Sequence, residues 1–274
     1  MDVNAAAVEA VSTPTRVIAI INQKGGVGKT TSTLNLGAAL ASLGKKILLV
    51  DLDAQAHLTY SLGVPADDLE ATIYDLLKGE AALSDVLIEK QGLAILPSSI
   101  DLSAAEIEFS TEVGREAFLK NVLAGLTGYD YILLDCPPNL GLITLNALTA
   151  AGEVFVPLQA EFLSIKGLNK LTDMIEKVKQ RVNPALEVTG IIVTLHDPRL
   201  KLHQEVYENL QQHFGDKLFK TTIRRNVALA EAASFGQSIF AYAPHSHGAA
   251  DYMALCHEIV NREKDHGQEI TTEG

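Results

Sequence analysis

Eight consecutive residues, Lys24-Gly25-Gly26-Val27-Gly28-Lys29-Thr30-Thr31, put backbone freedom, cations and hydroxyls into one short stretch. Glycines let the chain curl closely around an anion, so that successive N–H groups and the positive end of a following helix point at it. This is the chemistry of phosphate binding. In such a loop Lys29 reaches the β- and γ-phosphates of a nucleoside triphosphate, and the Thr30 hydroxyl is a ligand for Mg²⁺. Three carboxylates follow apolar runs: Asp51 and Asp53 after residues 47–50, and Asp135 after residues 131–134. Acids at the carboxyl ends of parallel strands face the crevice where ligands bind, which suits metal and water chemistry. Asp51 is expected to serve structure instead.

Short runs rich in Val, Ile and Leu at 17–21, 47–50, 93–96, 131–134, 154–156 and 188–195 lack polar alternation and predict strands buried on both faces. Helical stretches are predicted between and after them at 30–43, 72–77, 103–108, 115–126, 142–150, 168–181 and 204–214. The alternation predicts one α/β domain: a mostly parallel twisted sheet of the P-loop type with helices on both faces. The phosphate loop stands in the strand, Gly-rich turn and helix context that it requires. Residues 16–262 are expected to form this domain, with flexible tails at 1–15 and 263–274.

The chain has 274 residues, 47% hydrophobic and 20% charged, enough for one substantial core. No secretory signal pattern follows the Ala-rich start, and no run approaches the roughly 18 to 20 apolar residues of a membrane span. A cytoplasmic protein without integral membrane contact is expected. Cys136 and Cys256 are expected as reduced, buried thiols. His245 and His247 lack further ligands at metal spacing and are assigned no metal. A formal charge of −12 disfavours nonspecific attraction to nucleic acid over the surface as a whole. Residues 196–230 oppose that trend, with Arg199, Lys201, Lys217, Lys220, Arg224 and Arg225 against four acids.

The opening Lys24 of the phosphate loop resembles the deviant Walker A motif of the ParA/MinD family, and the likeness runs from Arg16 to about Val260. The resemblance implies that Lys24 crosses a nucleotide-sandwiched homodimer to contact phosphate in the other subunit, as a cation delivered in trans. It places Asp53 at the position that orients the attacking water or the Mg²⁺ shell, and Asp135 at the Walker B position that holds Mg²⁺ through water. Pro137-Pro138-Asn139 resembles the segment that responds to the γ-phosphate. Asn226 is implied in adenine recognition. Members similar to this chain in length bind double-stranded DNA nonspecifically in the ATP state, associate with the nucleoid and partition chromosomes, plasmids or other cargo. Their slow hydrolysis is stimulated by a ParB-like partner.

In many relatives the segment 224–228 reads Pro-Arg-Asn-Val-Arg, whereas here it reads Arg224-Arg225-Asn226-Val227-Ala228. The DNA-linked final arginine is absent, and Arg224 is a candidate to compensate. Arg199, Lys201, Arg224 and Arg225 are therefore the expected DNA-binding residues. A MinD-like membrane cycle is disfavoured because residues 263–269 carry no apolar face. A ParA-like switch acting on a protein surface stays open. The two cysteines have the wrong placement for an iron–sulfur reductase similar to the nitrogenase iron protein, and the tail lacks the tyrosines of the tyrosine-kinase relatives.

Overall fold

Each apolar run forms a strand with both faces covered, and its side chains divide with period two between two separate cores. In the computed structural model, which describes residues 14–161 and 164–272, the strands are β1 (Arg16–Ile20), β2 (Ile47–Asp51), β3 (Ile88–Lys90), β4 (Leu93–Leu96), β5 (Tyr131–Asp135), β6 (Glu153–Gln159) and β7 (Glu187–Thr194). They form one sheet in the order β3-β4-β2-β5-β1-β6-β7. All pairs are parallel except β3 with β4. Ala19, Leu48, Val50, Ile132 and Leu134 enter one core, while Ile18, Ile20, Ile47, Leu49 and Leu133 enter the other.

The helices are α1 (Lys29–Ser42), α2 (His57–Ser61), α3 (Ile73–Lys78), α4 (Leu83–Val86), α5 (Ala105–Glu108), α6 (Phe118–Ala124), α7 (Leu142–Ala150), α8 (Ser164–Arg181), α9 (Lys201–Phe214), α10 (Val227–Ser234), α11 (Ile239–Tyr242) and α12 (His247–Thr272). Helices α3 to α9 cover the first core, and α1, α2, α10, α11 and α12 cover the second. The predicted parallel sheet with helices on both faces is thus the observed architecture. Close packing of α1 on the sheet depends on Gly37, where a Cβ would lie 2.8 Å from the Leu49 side chain. Ser32 of α1 and Tyr252 of α12 share a buried hydroxyl–hydroxyl bond of 3.0 Å.

Two expectations need correction. The antiparallel edge strand β3 was not foreseen: its three residues, Ile88, Glu89 and Lys90, are too few to show a period. The stretch 103–108 belongs to a 3₁₀ turn over Ile100–Ala104 followed by α5, rather than to one helix. The polar composition of 263–274 predicts a tail, and α12 continues to Thr272. Its anchor is Glu263, whose Oε1 accepts from Arg16 Nη1 and from the Tyr131 hydroxyl, both at 2.7 Å. Arg16 also forks onto both oxygens of Glu153 at 2.6 and 2.7 Å and lies over the Tyr131 ring. Distant charges thus hold the first residue of the stretch 263–274. Of the expected N-terminal tail, residues 1–13 lie outside the described residues.

Because Glu263 neutralises a guanidinium and a hydroxyl that are largely withdrawn from water, Glu263→Ala is expected to lower stability by about 1–3 kcal/mol. The midpoint of urea unfolding checks this.

Candidate nucleotide site and basic edge

The parallel register determines what can meet at the carboxyl end of the sheet. Ile20, the last residue of β1, aligns with Asp135 of β5, and Asp135 aligns in turn with Asp51 of β2. The loop that leaves β1 therefore passes directly over two buried acids. Within it Gly26 and Gly28 have φ of 72° and 88°, a left-handed conformation that L side chains rarely adopt. Gly28 opens α1 without a side-chain cap, leaving the first-turn N–H groups to the loop.

The loop is held from the β6 and β7 side. Thr194 Oγ1 donates to the carbonyl of Val27 at 2.7 Å, and Gln159 Nε2 donates to that of Gly26 at 2.9 Å. Asn22 donates to Pro157 O at 2.7 Å and accepts from the Lys24 N–H at 2.9 Å. Thr31 lies further in, its carbonyl accepting from Asn35 at 2.8 Å. Asn22 and Thr194 were not singled out from sequence. Their partners are 135 and 167 residues away, so no local pattern marks them.

The two lysines of the loop occupy opposite environments. Lys29 is 8% exposed. Burial lowers its pKa, while Asp135 and Asp53 oppose the shift. Lys24 is half-exposed at the lip, with Nζ 2.6 Å from Glu161 Oε2 and 3.4 Å from Gln159 Oε1.

Asp135 is 1% exposed. Thr30 Oγ1 donates to its Oδ2 at 2.7 Å, and Thr33 Oγ1 lies 3.4 Å from Oδ1. Burial, and then the charge of Asp51, hold its carboxyl well above the ordinary carboxylate range. Asp51 is fully buried and serves structure, accepting from the Thr59 N–H and hydroxyl and from the Asp53 N–H. Asp53 is half-buried and accepts from the Gln55 N–H at 3.0 Å. It lines a cavity of about 310 Å³ together with Ser103, Glu106, Pro137, Pro138 and Asn139.

A hydroxyl oxygen and a carboxylate oxygen side by side, with the acid's charge disfavoured by burial, are a donor set that fits a small hard cation such as Mg²⁺. Among the described residues no group of three His, Cys, Asp or Glu side chains could cage a metal. Mg²⁺ is commonly held by one or two protein oxygens and completed by phosphate and water.

At the opposite edge, past β7, a parallel bridge joins His196 to Arg224, and the Arg225 N–H donates to His196 O at 3.3 Å. This brings Arg199, Lys201, Arg224 and Arg225 onto neighbouring segments. Their charges differ in availability. Arg199 forks onto Asp197 at 2.9 and 2.8 Å, and Lys201 lies 3.4 Å from Glu205. Arg224 is tied to the buried Asp251 of α12 through both its guanidinium and its backbone N–H. It is the least available of the four to replace the absent arginine. The Arg225 side chain is exposed and has no side-chain partner among the described residues. Asn226 caps α10, its Oδ1 accepting from the Ala228 N–H at 2.9 Å.

Comparison with known proteins places this geometry. The family described as AAA domain matches residues 15–188. The chromosome partitioning protein ParA of Caulobacter vibrioides is 42% identical over 257 residues, covering 92% of this chain and 96% of that protein. The chromosome-partitioning ATPase Soj of Treponema pallidum is 47% identical over 251 residues, covering 90% and 98%. This chain belongs to the ParA/MinD family of P-loop ATPases. A structure described as cobyrinic acid a,c-diamide synthase from Mycobacterium smegmatis with bound ADP and magnesium matches with a TM-score of 0.81 and 37% identity, covering 92% of this chain and 96% of that one. The phosphate loop, the two strand-end acids and the turn after Asp135 converge at the carboxyl end of one sheet. Among the described residues no helix is long and apolar enough to cross a membrane.

The raised pKa of Asp135 has a definite sign in stability. The folded state retains the proton after the unfolded chain has released it, so stability in the absence of nucleotide falls as pH rises from about 4 through the raised value. Asp135→Asn is therefore expected to be more stable than wild type at pH 8, with the difference closing toward pH 4. Urea midpoints across that range provide the check, and a pH-independent difference would contradict the assignment.

Proposed function

We propose that this protein is an ATP- and Mg²⁺-dependent switch that closes as a homodimer around two nucleotides, binds double-stranded DNA nonspecifically in that state, and partitions or positions chromosome, plasmid or other cargo. The observation that carries the reading is the contrast between the two loop lysines. Lys29 is buried against Asp135, where it meets the β- and γ-phosphates of its own nucleotide. Among the described residues the Lys24 ammonium is held at the rim by the half-exposed Glu161 and by Gln159, from where it reaches a phosphate in a second copy. Thr30 and, through water, Asp135 would hold Mg²⁺, which would offset phosphate charge.

Gly25, Gly26, Val27, Gly28 and Thr31 supply the backbone cradle. Asp53 orients the attacking water, and Asn226 reads the adenine. The closed dimer is stabilised by γ-phosphate contacts that exist only while ATP is intact, so hydrolysis reopens it. Basal turnover is slow on this reading, and a ParB-like protein completes the hydrolytic geometry. The ParA and Soj relatives support the partition role, which implies a cytoplasmic, nucleoid-associated protein.

Lys29→Ala is expected to weaken ATP binding about a hundredfold, since a charged bond in a desolvated phosphate site is worth roughly 1.5–3 kcal/mol. Asp53→Ala is expected to retain ATP and accumulate as a dimer by size-exclusion chromatography. If it stays monomeric with ATP bound, the sandwich reading fails.

For DNA, Arg225→Glu is expected to abolish ATP-dependent retention of random-sequence duplex while leaving ATP-driven dimerisation intact. Replacing Arg225 by Ala should flatten the slope of log affinity against log salt by about 0.9 for each lost phosphate contact. Absence of DNA binding by the wild type at low salt in every nucleotide state would overturn the DNA reading and leave a switch with a protein target.

A further inference from the structure

Glu106 of α5 packs its carboxylate directly on Gly141, the residue that opens α7. A Cβ at position 141 would lie 1.8 Å from Glu106 Oε1 and 2.7 Å from Oε2. Gly141 has φ −86° and ψ −163°, an extended conformation open to any residue, so the backbone itself makes no demand for glycine. The seat of the carboxylate makes that demand. No side chain caps α7, and the acid thus stands against the positive end of a helix that sinks Ile143, Ala147 and Leu148 into the core.

Glu106 Oε1 is buried and has no hydrogen-bond partner among the described residues. Native structures rarely leave a buried carboxylate oxygen in that condition, and each such case calls for an explanation. The same side chain lines the cavity of about 310 Å³ whose other walls include Asp53 and the turn of Pro137, Pro138 and Asn139. One acid therefore touches both the chamber of the hydrolytic aspartate and the far end of the turn that follows Asp135. The turn is also tied to α7 by the Thr144 hydroxyl, which donates to Asn139 O at 2.6 Å.

We infer that Glu106 is a positioning residue for ATP hydrolysis: seated on Gly141, it holds the turn at 137–140 against α7 so that turn and Asp53 face one chamber. The inference rests on the ATPase reading above. It differs from that reading in touching neither the phosphate loop nor the metal oxygens, so its loss affects turnover more than nucleotide binding.

Gly141→Ala is the sharpest test, because the nearest atoms the added methyl meets are the end of the flexible Glu106 side chain, which it displaces at little cost to the backbone. Gly141→Ala and Glu106→Ala are each expected to lower kcat about tenfold, within the range that small misplacements of reacting groups produce, with KM for ATP and Tm little changed. The double variant should be no worse than either single one. Glu106→Gln, which keeps the shape and discards the charge, should recover less than half of the loss.

Hydrogen exchange of the 137–141 amides in the presence of ATP should be faster in both single variants. Wild-type kcat in Gly141→Ala, multiplied losses in the double variant, or a parallel fall in ATP affinity and Tm would overturn the assignment. A wild type that binds but does not hydrolyse ATP would refute the ATPase reading. Hydrogen exchange would then decide the contact separately: faster exchange on displacing the carboxylate supports it, and unchanged exchange removes it.

Discussion

The structure depends on a pair of buried carboxyl groups that the sheet register makes unavoidable. Asp51 and Asp135 are register partners on adjacent central strands, and both are almost wholly excluded from water. Two carboxylates so placed cannot both ionise cheaply, and each is pushed toward its protonated form by burial first. Asp51 is satisfied from within by Thr59 and the Asp53 N–H. Asp135 has two hydroxyls and the nearby ammonium of Lys29. On the proposed reading, a divalent cation beside Thr30 would make ionisation of Asp135 favourable. On the same reading, metal and polyphosphate would lower the free energy of the folded sheet, which is what nucleotide needs in order to act as a switch.

A second consequence follows from where the loop is tied. Its bonds to Pro157, Gln159 and Thr194 lie on the β6 and β7 side, whereas the acids lie on the β5 and β2 side. The loop is thus a bridge across the end of β1, with Lys29 facing the acids and Lys24 near Glu161. The β6 and β7 side of the bridge is held by hydrogen bonds to backbone carbonyls. Lys24 is the loop cation that can change partners without opening the core, since it and Glu161 are both about half exposed.

Much of this was readable in the sequence because it is local. The Gly-Lys-Thr loop, the six long strands and the strand-end acids announce themselves through composition and period. What was not readable is relational. The three residues of β3 are too short to show a pattern, and α2 and α10 begin beside functional loops whose polar residues mask them. Glu263 was read as tail because its partners, Arg16 and Tyr131, are 247 and 132 residues away. Glu106 and Gly141 look unremarkable one at a time, as an acid on a short helix and a glycine before a longer one. Only their contact gives either a role. Arg224 likewise reads as a free basic residue until Asp251 is placed beside it.

The basic edge extends that lesson to charge. Counted along the chain, residues 196–230 are a positive island in a protein of net charge −12. Counted in space, three of the four candidate cations are already paired with acids of this chain, and Arg225 stands apart. An exposed pair such as Lys201 with Glu205 is worth little and dissolves readily in favour of a phosphate. The Arg224–Asp251 pair, with its nearly buried acid, does not, because releasing it strands a carboxylate. A monomer therefore offers DNA few cations against a repulsive background. On the proposed reading, this poverty is useful: doubling the edge by dimerisation multiplies phosphate contacts, and because the binding constant depends exponentially on their number, attachment becomes contingent on ATP rather than permanent.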